Sequence, residues 1–329
     1  MRVAVVGAGA VGARAARQLA STDIVERVVV HEPDPGRLDG LLKGLTPERA
    51  EAAADPFSAP ADVAAAVLTM GSGAHAALAA KLVAAGIHVV SASDDVTDVR
   101  GLLALDEQAR AGGVHVVAGT AFAPGLSCLL ARHAASWFDE VDEVHVAKIG
   151  TGGPECARQH HRALARAAVD WRDGQWLDRP GGSGRELCWF PEPVGGADCY
   201  RGELPDALLL LPAFPTAARI TARVGATRRD RLTARLPMLR RPHPEGVVGA
   251  VRVEVRGTRQ ASRAVEVLGA LDRPAVAAGA VAALAAVAAV DGRLARTGAA
   301  GVAELVDPLP FLRELHDRGV KAATFEGVS

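Results

Sequence analysis

This 329-residue chain has no paired cysteines, no excess of either charge and few aromatics. Its four cysteines, Cys128, Cys156, Cys188 and Cys199, form no C-x-x-C unit, which argues against a disulfide scaffold and for a reducing, cytoplasmic setting. Lysine plus arginine number 37 against 38 acidic residues, so the formal charge of -1 offers no field for nucleic acid or an anionic membrane. No strongly apolar run is long enough to span a bilayer. The charge-free stretch 274–290 is mostly Ala, Val and Gly and reads as a buried helix, and Arg14 and Arg17 interrupt the apolar start that mimics a signal peptide. G-x-S-x-G and H-E-x-x-H are both missing, so acyl transfer and metalloprotease chemistry have no support.

What is present is an alternation of strand and helix signals. Residues 3–6 form an apolar run followed by a glycine turn and helix formers, with Val11, Ala15 and Leu19 at helical spacing. Strands are then expected at 26–31, 50–55, 62–69, 87–91 and 114–118, separated by helices that include 75–85 and 96–110. Six strands with helical crossovers predict an α/β fold: a Rossmann-type doubly wound parallel sheet. Beyond residue 125 a helix leads to an alternating strand, 141–149, and then to a loop-rich region holding three of the four tryptophans and the single tyrosine, Tyr200. Residues 247–257 and 261–271 read as a long hairpin, followed by the Ala-rich helix and a final helix at 310–318. The expected organisation is a dinucleotide-binding domain over 1–125, a second α+β domain with a mixed or antiparallel sheet over 126–272, and returning helices over 273–329. Residues 228–246 read as a mobile loop.

Gly7, Gly9 and Gly12 form G-x-G-x-x-G between a strand and a helix, the context that gives the motif meaning. Gly7 allows the tight turn, Gly9 the close approach of a pyrophosphate, and Gly12 close helix packing, with Ala10 and Val11 opening the helix whose N-terminus faces the phosphates. Glu32 follows twenty positions after Gly12 at the end of the second strand, where a carboxylate accepts from ribose hydroxyls and repels a 2'-phosphate. NAD is therefore the expected cofactor, with NADP possible through Arg37. Met70, Gly71 and Ser72 after the fourth strand, and Pro124 after the sixth, belong to the ligand-binding edge of such a sheet, and so does Asp94 after the fifth. His75 reads as a capping or packing histidine.

The segment 86–131, GIHVVSASDDVTDVRGLLALDEQARAGGVHVVAGTAFAPGLSCLLA, together with the amino-terminal fingerprint, resembles the saccharopine dehydrogenase and reductase superfamily, which includes the lysine 6-dehydrogenase and carboxynorspermidine dehydrogenase relatives. The hairpin, the Ala-rich helix and the closing FLRELHDRGV are similar to the end of that family, so the resemblance covers about half the chain. It implies a dinucleotide domain interrupted by a substrate domain, and hydride transfer at a carbon bonded to an amine. The turn after the first substrate-domain strand departs from the family's Gly-Gly-Leu-Pro, reading Gly150-Thr151-Gly152-Gly153-Pro154, so activity on saccharopine or lysine is not carried over.

Such chemistry needs a group to manage a proton and cations for carboxylates. Lys148, Asp94 and Tyr200 are the candidate catalytic groups, and Arg185, Arg201 and His160 the candidate substrate contacts. A surface position is the plainer reading of Lys148 at a strand end, and solvent exposure that of His160 and His161. Cys156 and His160 with Cys188 and Cys199 lack the regular spacing of zinc modules, so no metal is expected. A small-molecule substrate and a homodimer are the expected partners. Two alternatives stand beside this reading: a nucleotide-binding sensor or interaction protein without turnover, and a dehydrogenase of a hydroxyl or semialdehyde substrate on the same scaffold.

Overall fold

A computed structural model describes residues 1–53, 55, 62–238 and 241–324. Its first part alternates as expected: β1 (Arg2–Val6), α1 (Ala10–Ala20), β2 (Arg27–His31), α2 (Pro35–Leu42), β3 (Ala50–Ala52), β4 (Val63–Leu68), α3 (His75–Ala84), β5 (His88–Ser91), α4 (Val96–Leu103), α5 (Asp106–Ala111) and β6 (His115–Ala118). The connection through Pro56 and Pro60 lies outside the described residues. The second part runs α6 (Leu126–Ala135), β7 (Glu140–Ile149), α7 (Pro154–Ala163), β8 (Ala168–Arg172), β9 (Gln175–Arg179), β10 (Glu186–Trp189), β11 (Gly196–Arg201), α8 (Asp206–Leu210), β12 (Arg219–Gly225), α9 (Arg228–Thr233), β13 (Gly249–Arg259) and β14 (Ser262–Asp272). The chain closes with α10 (Pro274–Val290), β15 (Gly298–Gly301), α11 (Val302–Leu305), α12 (Pro308–Asp317) and β16 (Ala322–Thr324).

The first sheet has the order β15-β6-β5-β4-β1-β2-β3, with every pair parallel. The order reverses beside β1, and the crevice above that point is where open α/β sheets bind ligands. Val3, Val5, Val28, Val30, Val67, Val89 and Val116 are fully buried, because a parallel sheet is covered on both faces. The seventh strand, β15, was not foreseen: its sequence, GAAG, carries no β-branched residue. Asp106 explains both its placement and the break in the expected 96–110 helix. Its Oδ1 accepts from Ala299 N at 2.8 Å and from Arg296 Nη1 at 3.0 Å, drawing the start of α5 onto the new strand.

The second sheet is mixed, ordered β10-β11-β12-β7-β13-β14-β16, with β8 and β9 attached beside β12. β7 lies between β12, its parallel neighbour, and β13, its antiparallel one. The hairpin turns at Gln260 and Ala261, both with positive φ. The carboxyl-terminal segment divides between the sheets: β15 joins the first and β16 pairs with β14 of the second. Helix α10 is buried nearly all round, as its uniformly apolar sequence requires. Its small residues let it lie close to α1, where a Cβ on Gly279 would meet Ala15 N at 2.8 Å. Among the described residues no helix is long and apolar enough to cross a membrane. The stretch expected as a loop instead opens with α9, started by a reciprocal Thr227–Asp230 capping box.

Candidate active site

A cavity of about 930 Å³ opens between the carboxyl edge of the first sheet and α7. Its floor is the glycine turn. Gly7 has φ +98°, and a Cβ there would stand 2.9 Å from Met70 N, so turn and close approach both require glycine. At Gly12 a Cβ would fall 1.8 Å from Gly7 O. At Gly9 the same construction meets nothing within 4 Å: that space is open cavity. Gly9 also caps α1 without a side-chain bond, leaving the first-turn N–H groups of the helix to a ligand.

Glu32 stands at the end of β2 with its side chain only 7% exposed. Its Oε2 accepts from Ala8 N at 2.7 Å and its Oε1 from Asp34 N at 3.0 Å, so the carboxylate is fixed against the glycine turn with acceptor capacity left on each oxygen. Arg37 Nη1 is 4.0 Å away.

Asp98 organises the next two loops. It accepts from Gly73 N at 2.8 Å, His75 N at 3.2 Å and Ser93 Oγ at 2.9 Å, tying the turn after β4 to the turn after β5. The buried His75 ring reinforces the tie, with Nδ1 2.9 Å from Ser91 Oγ and Nε2 3.0 Å from Met70 O. Helix α7 is clasped to the same edge: Gln159 Nε2 donates to Asp95 Oδ2 at 3.1 Å and Arg162 Nη2 to Ser72 Oγ at 3.3 Å.

Lys148 is buried, 2% exposed, rather than on the surface. On the central strand β7 it continues the inward series Val144, Val146, Lys148, and this period-two position carries its side chain to the cavity. Its Nζ donates to Ala123 O at 2.8 Å and stands 3.6 Å from Asp94 Oδ2. The same Asp94 oxygen is 3.4 Å from His160 Nε2 and 3.7 Å from Cys156 Sγ, and Cys156 Sγ is 3.6 Å from His160 Nε2. Burial acts to raise the Asp94 carboxyl, but the Lys148 ammonium and the His160 ring outweigh it and hold the acid at about 2. Burial, then Asp94, pushes the Cys156 thiol up to about 12, while burial and Lys148 lower His160.

Lys148, Asp94 and His160 thus meet on the lining of the cavity that Gly7, Gly9, Ala10, Val11 and Glu32 also line, together with Met70, Gly71 and Ser72. His161, the neighbour of His160, points elsewhere and reaches Leu236 O. Five other candidates are not on the lining: Gly12, which is buried under the glycine turn, and Tyr200, Arg201, Arg185 and Pro124. Tyr200 is 1% exposed in the core, two strands from Lys148, with the Arg231 guanidinium 5.4 Å from its ring centre. Arg201 pairs with Asp170 at 3.0 Å and Arg185 with Asp198 at 2.9 Å, so both guanidiniums are engaged by acids on the second sheet's own strands, β8 and β11. Pro124 is buried in its turn, its carbonyl accepting from Ala121 N, and the residues before it, 121–123, form the wall instead. Cys188 and Cys199 sit in a separate apolar cluster.

Sequence reasoning passed over Cys156 as a partner of Asp94. The signal available was its i, i+4 spacing from His160, which places both on one helical face. Asp206 was missed altogether. It is 1% exposed, accepts from Ser127 Oγ at 3.1 Å, and burial raises its carboxyl against the opposing pull of Lys148.

No protein-family model matches the chain. Among solved structures, the apo saccharopine dehydrogenase (L-Glu forming) of Saccharomyces cerevisiae superposes with a TM-score of 0.72 at 15% identity, over 98% of this chain and 99% of that one. The C. glutamicum DAP dehydrogenase in complex with DAP gives 0.51 at 16%, over 97% and 99%. A Clostridium tetani meso-DAP dehydrogenase variant with DAP gives 0.51 at 14%, over 95% of each chain. The fold of this chain, a doubly wound parallel sheet joined to a second mixed sheet, is therefore shared over its whole length with saccharopine dehydrogenase.

Proposed function

We propose that the chain is an NAD(P)-dependent oxidoreductase, with NAD preferred, acting on a small amino-acid-derived substrate at a carbon bonded to nitrogen. The observation that carries this reading is the glycine turn: open space at Gly9, closure at Gly7 and Gly12, and Glu32 fixed beside them, with Gly7, Gly9 and Glu32 on the lining of the cavity that holds Lys148. A pyrophosphate fits where a Cβ on Gly9 would point, on the unpaired amides of Gly9, Ala10 and Val11. Glu32 suits ribose hydroxyls and opposes a 2'-phosphate. The bound nicotinamide supplies the hydride chemistry.

The chain's own part is orientation and charge. Lys148, held by Ala123 O and Asp94, brings a fixed, buried cation to the cavity, where it pairs with a substrate carboxylate and, with Asp94, can hold or pass a proton at the reacting nitrogen. Arg158, also on the lining, is paired with Glu155, so Lys148 is the cation the reading relies on. The likeness to enzymes named for saccharopine and for DAP, both amino acids, supports the substrate class. A homodimer belongs to the same proposal and is read by light scattering.

Titration with NADH and NADPH, by fluorescence and calorimetry, is the test of the cofactor. Binding of NADH ahead of NADPH is expected, and no binding of either at millimolar concentration overturns the reading. A panel of amino acids, and of keto acids with amines, followed at the NADH absorbance band, then separates an enzyme from a nucleotide sensor.

A further inference from the structure

We propose that Asp94, Cys156 and His160 form an open site for a divalent transition metal of the zinc type on the wall of the cavity. Among the described residues they are the one group of three potential ligands whose donor atoms converge, with His160 Nε2 3.4 Å and Cys156 Sγ 3.7 Å from Asp94 Oδ2, and 3.6 Å between Sγ and Nε2; without a metal the thiol makes long S–H hydrogen bonds across the same triangle. Those lengths have another meaning. Ligands bound tetrahedrally at the usual zinc distances, about 2.3 Å for sulfur and about 2.0–2.2 Å for nitrogen and oxygen, stand about 3.3–3.8 Å from one another. The triangle Sγ, Nε2, Oδ2 has those edges.

The alternative use of a cysteine, a histidine and an aspartate is a nucleophile relay, in which the imidazole faces the thiol with one nitrogen and the carboxylate with the other. Here the same nitrogen, His160 Nε2, faces both Sγ and Oδ2, which suits three donors around a common point and not a relay. Cys156 and His160 are one turn apart on α7, and Asp94 comes from the loop that α7 is clasped against, so the three are held by separate elements fixed to each other.

One thiolate, one imidazole and one carboxylate leave a fourth position, the arrangement of a metal site that takes a water or a substrate atom. All three ligands line the cavity. Loading exchanges the Cys156 S–H bond for a sulfur–metal bond and releases the proton to solvent, with no electron transferred. Thiolate and carboxylate then neutralise the metal, while the Lys148 ammonium, 3.6 Å from the same Asp94 oxygen, keeps its bond to Ala123 O and leaves the site one positive charge, which suits an anionic ligand in the fourth position. The ligand assignment stands independently of the cofactor. Only a use of the metal in hydride chemistry, polarising the substrate's nitrogen or oxygen, rests on the function proposed above.

The test is cobalt(II) titration of the full chain after chelator treatment, under reducing, oxygen-free conditions. One equivalent is expected to give a thiolate-to-cobalt charge-transfer band with visible bands of tetrahedral intensity. The charge-transfer band is expected to vanish in Cys156→Ser, and affinity to fall at least about 100-fold in Asp94→Asn and His160→Ala, while Cys188→Ser leaves all of it unchanged. Absence of the band in the wild type, or its survival in Cys156→Ser, overturns the site. If Cys156→Ser does not fold, X-ray absorption of the zinc-loaded wild type decides. One sulfur at about 2.3 Å supports the site and a shell without sulfur overturns it. NADH fluorescence on the same samples reads the cofactor separately, so cobalt binding without NADH binding sinks the function and leaves the site, and the converse does the reverse.

Discussion

The two walls of the cavity are made of different material. The one at Gly7 and Gly9, backed by Gly12, is backbone, shaped by local chain geometry and by where a Cβ cannot go, with the single carboxylate of Glu32 pinned to it. The wall at Lys148, Asp94, Cys156 and His160 is side chain, brought from both halves of the molecule and held by mutual charge. A backbone wall separates folding from binding position by position, because each glycine has its own steric neighbourhood. A side-chain wall couples its members, since removing one leaves another charged and buried. Substitutions on each side should therefore behave differently, and that is measurable.

The largest effect is expected at Lys148. Lys148→Met keeps the inward apolar series of β7 while deleting the cation beside Asp94, and turnover should fall about 10²–10³-fold. NADH affinity should change little, because none of the contacts that shape the glycine turn or hold Glu32 involves Lys148. Pre-steady-state and equilibrium binding measurements on one preparation distinguish the two quantities. An equal loss in both means that the walls are not independent.

The glycines sharpen the contrast. Gly12→Ala forces a Cβ into Gly7 O, and should cost about 1–3 kcal/mol of stability along with cofactor binding. Gly9→Ala meets no atom and its φ of -66° suits alanine, so stability should move by no more than about 0.5 kcal/mol while NADH binding weakens. Denaturant unfolding with NADH titration reads both, and two variants with the same profile would remove the distinction. At Glu32 the expected effect is on discrimination: Glu32→Gln keeps an acceptor for Ala8 N or Asp34 N but removes the charge facing a 2'-phosphate. The NADH-to-NADPH preference should drop about tenfold, about 1.4 kcal/mol.

The same division explains what could be read beforehand. The first sheet was legible because valine runs, a glycine fingerprint and one acid at the right distance lie within residues 3–32 and act locally. Lys148 was legible as a residue and not as a buried one. Its inward position follows from the register of β7 between β12 and β13, whose partners lie as far along the chain as Val224 and Val251. Tyr200, Arg185 and Arg201 were chosen for their chemistry in a glycine-rich region, but the second sheet pairs them with Arg231, Asp198 and Asp170. Cys156 and Asp94 are 62 residues apart, and no local pattern joins them. β15 was hidden for another reason, that four small residues become a strand only when β6 and Asp106 offer them a place.

The smallest expected effect tests the loops that join the walls. His75 is buried with both ring nitrogens used, and burial lowers it from its ordinary value of 6.5, so the fold holds the neutral ring. The unfolded chain protonates first as the pH falls. The His75 contribution to stability is thus complete above pH 6.5, is lost progressively below it, and stops changing once the folded-state value has been passed. Wild-type unfolding free energy should decline over that window. His75→Gln should be less stable at neutral pH and show a shallower decline, because the amide cannot titrate. Other histidines, the buried His115 and His160 and the partly buried His88, His133 and His145, are lowered too and keep part of the slope, so the difference between the two proteins is the informative quantity. An identical slope in both would mean that the ring bridging Ser91 and Met70 O does not set the spacing of the two loops, and that Asp98 alone carries it.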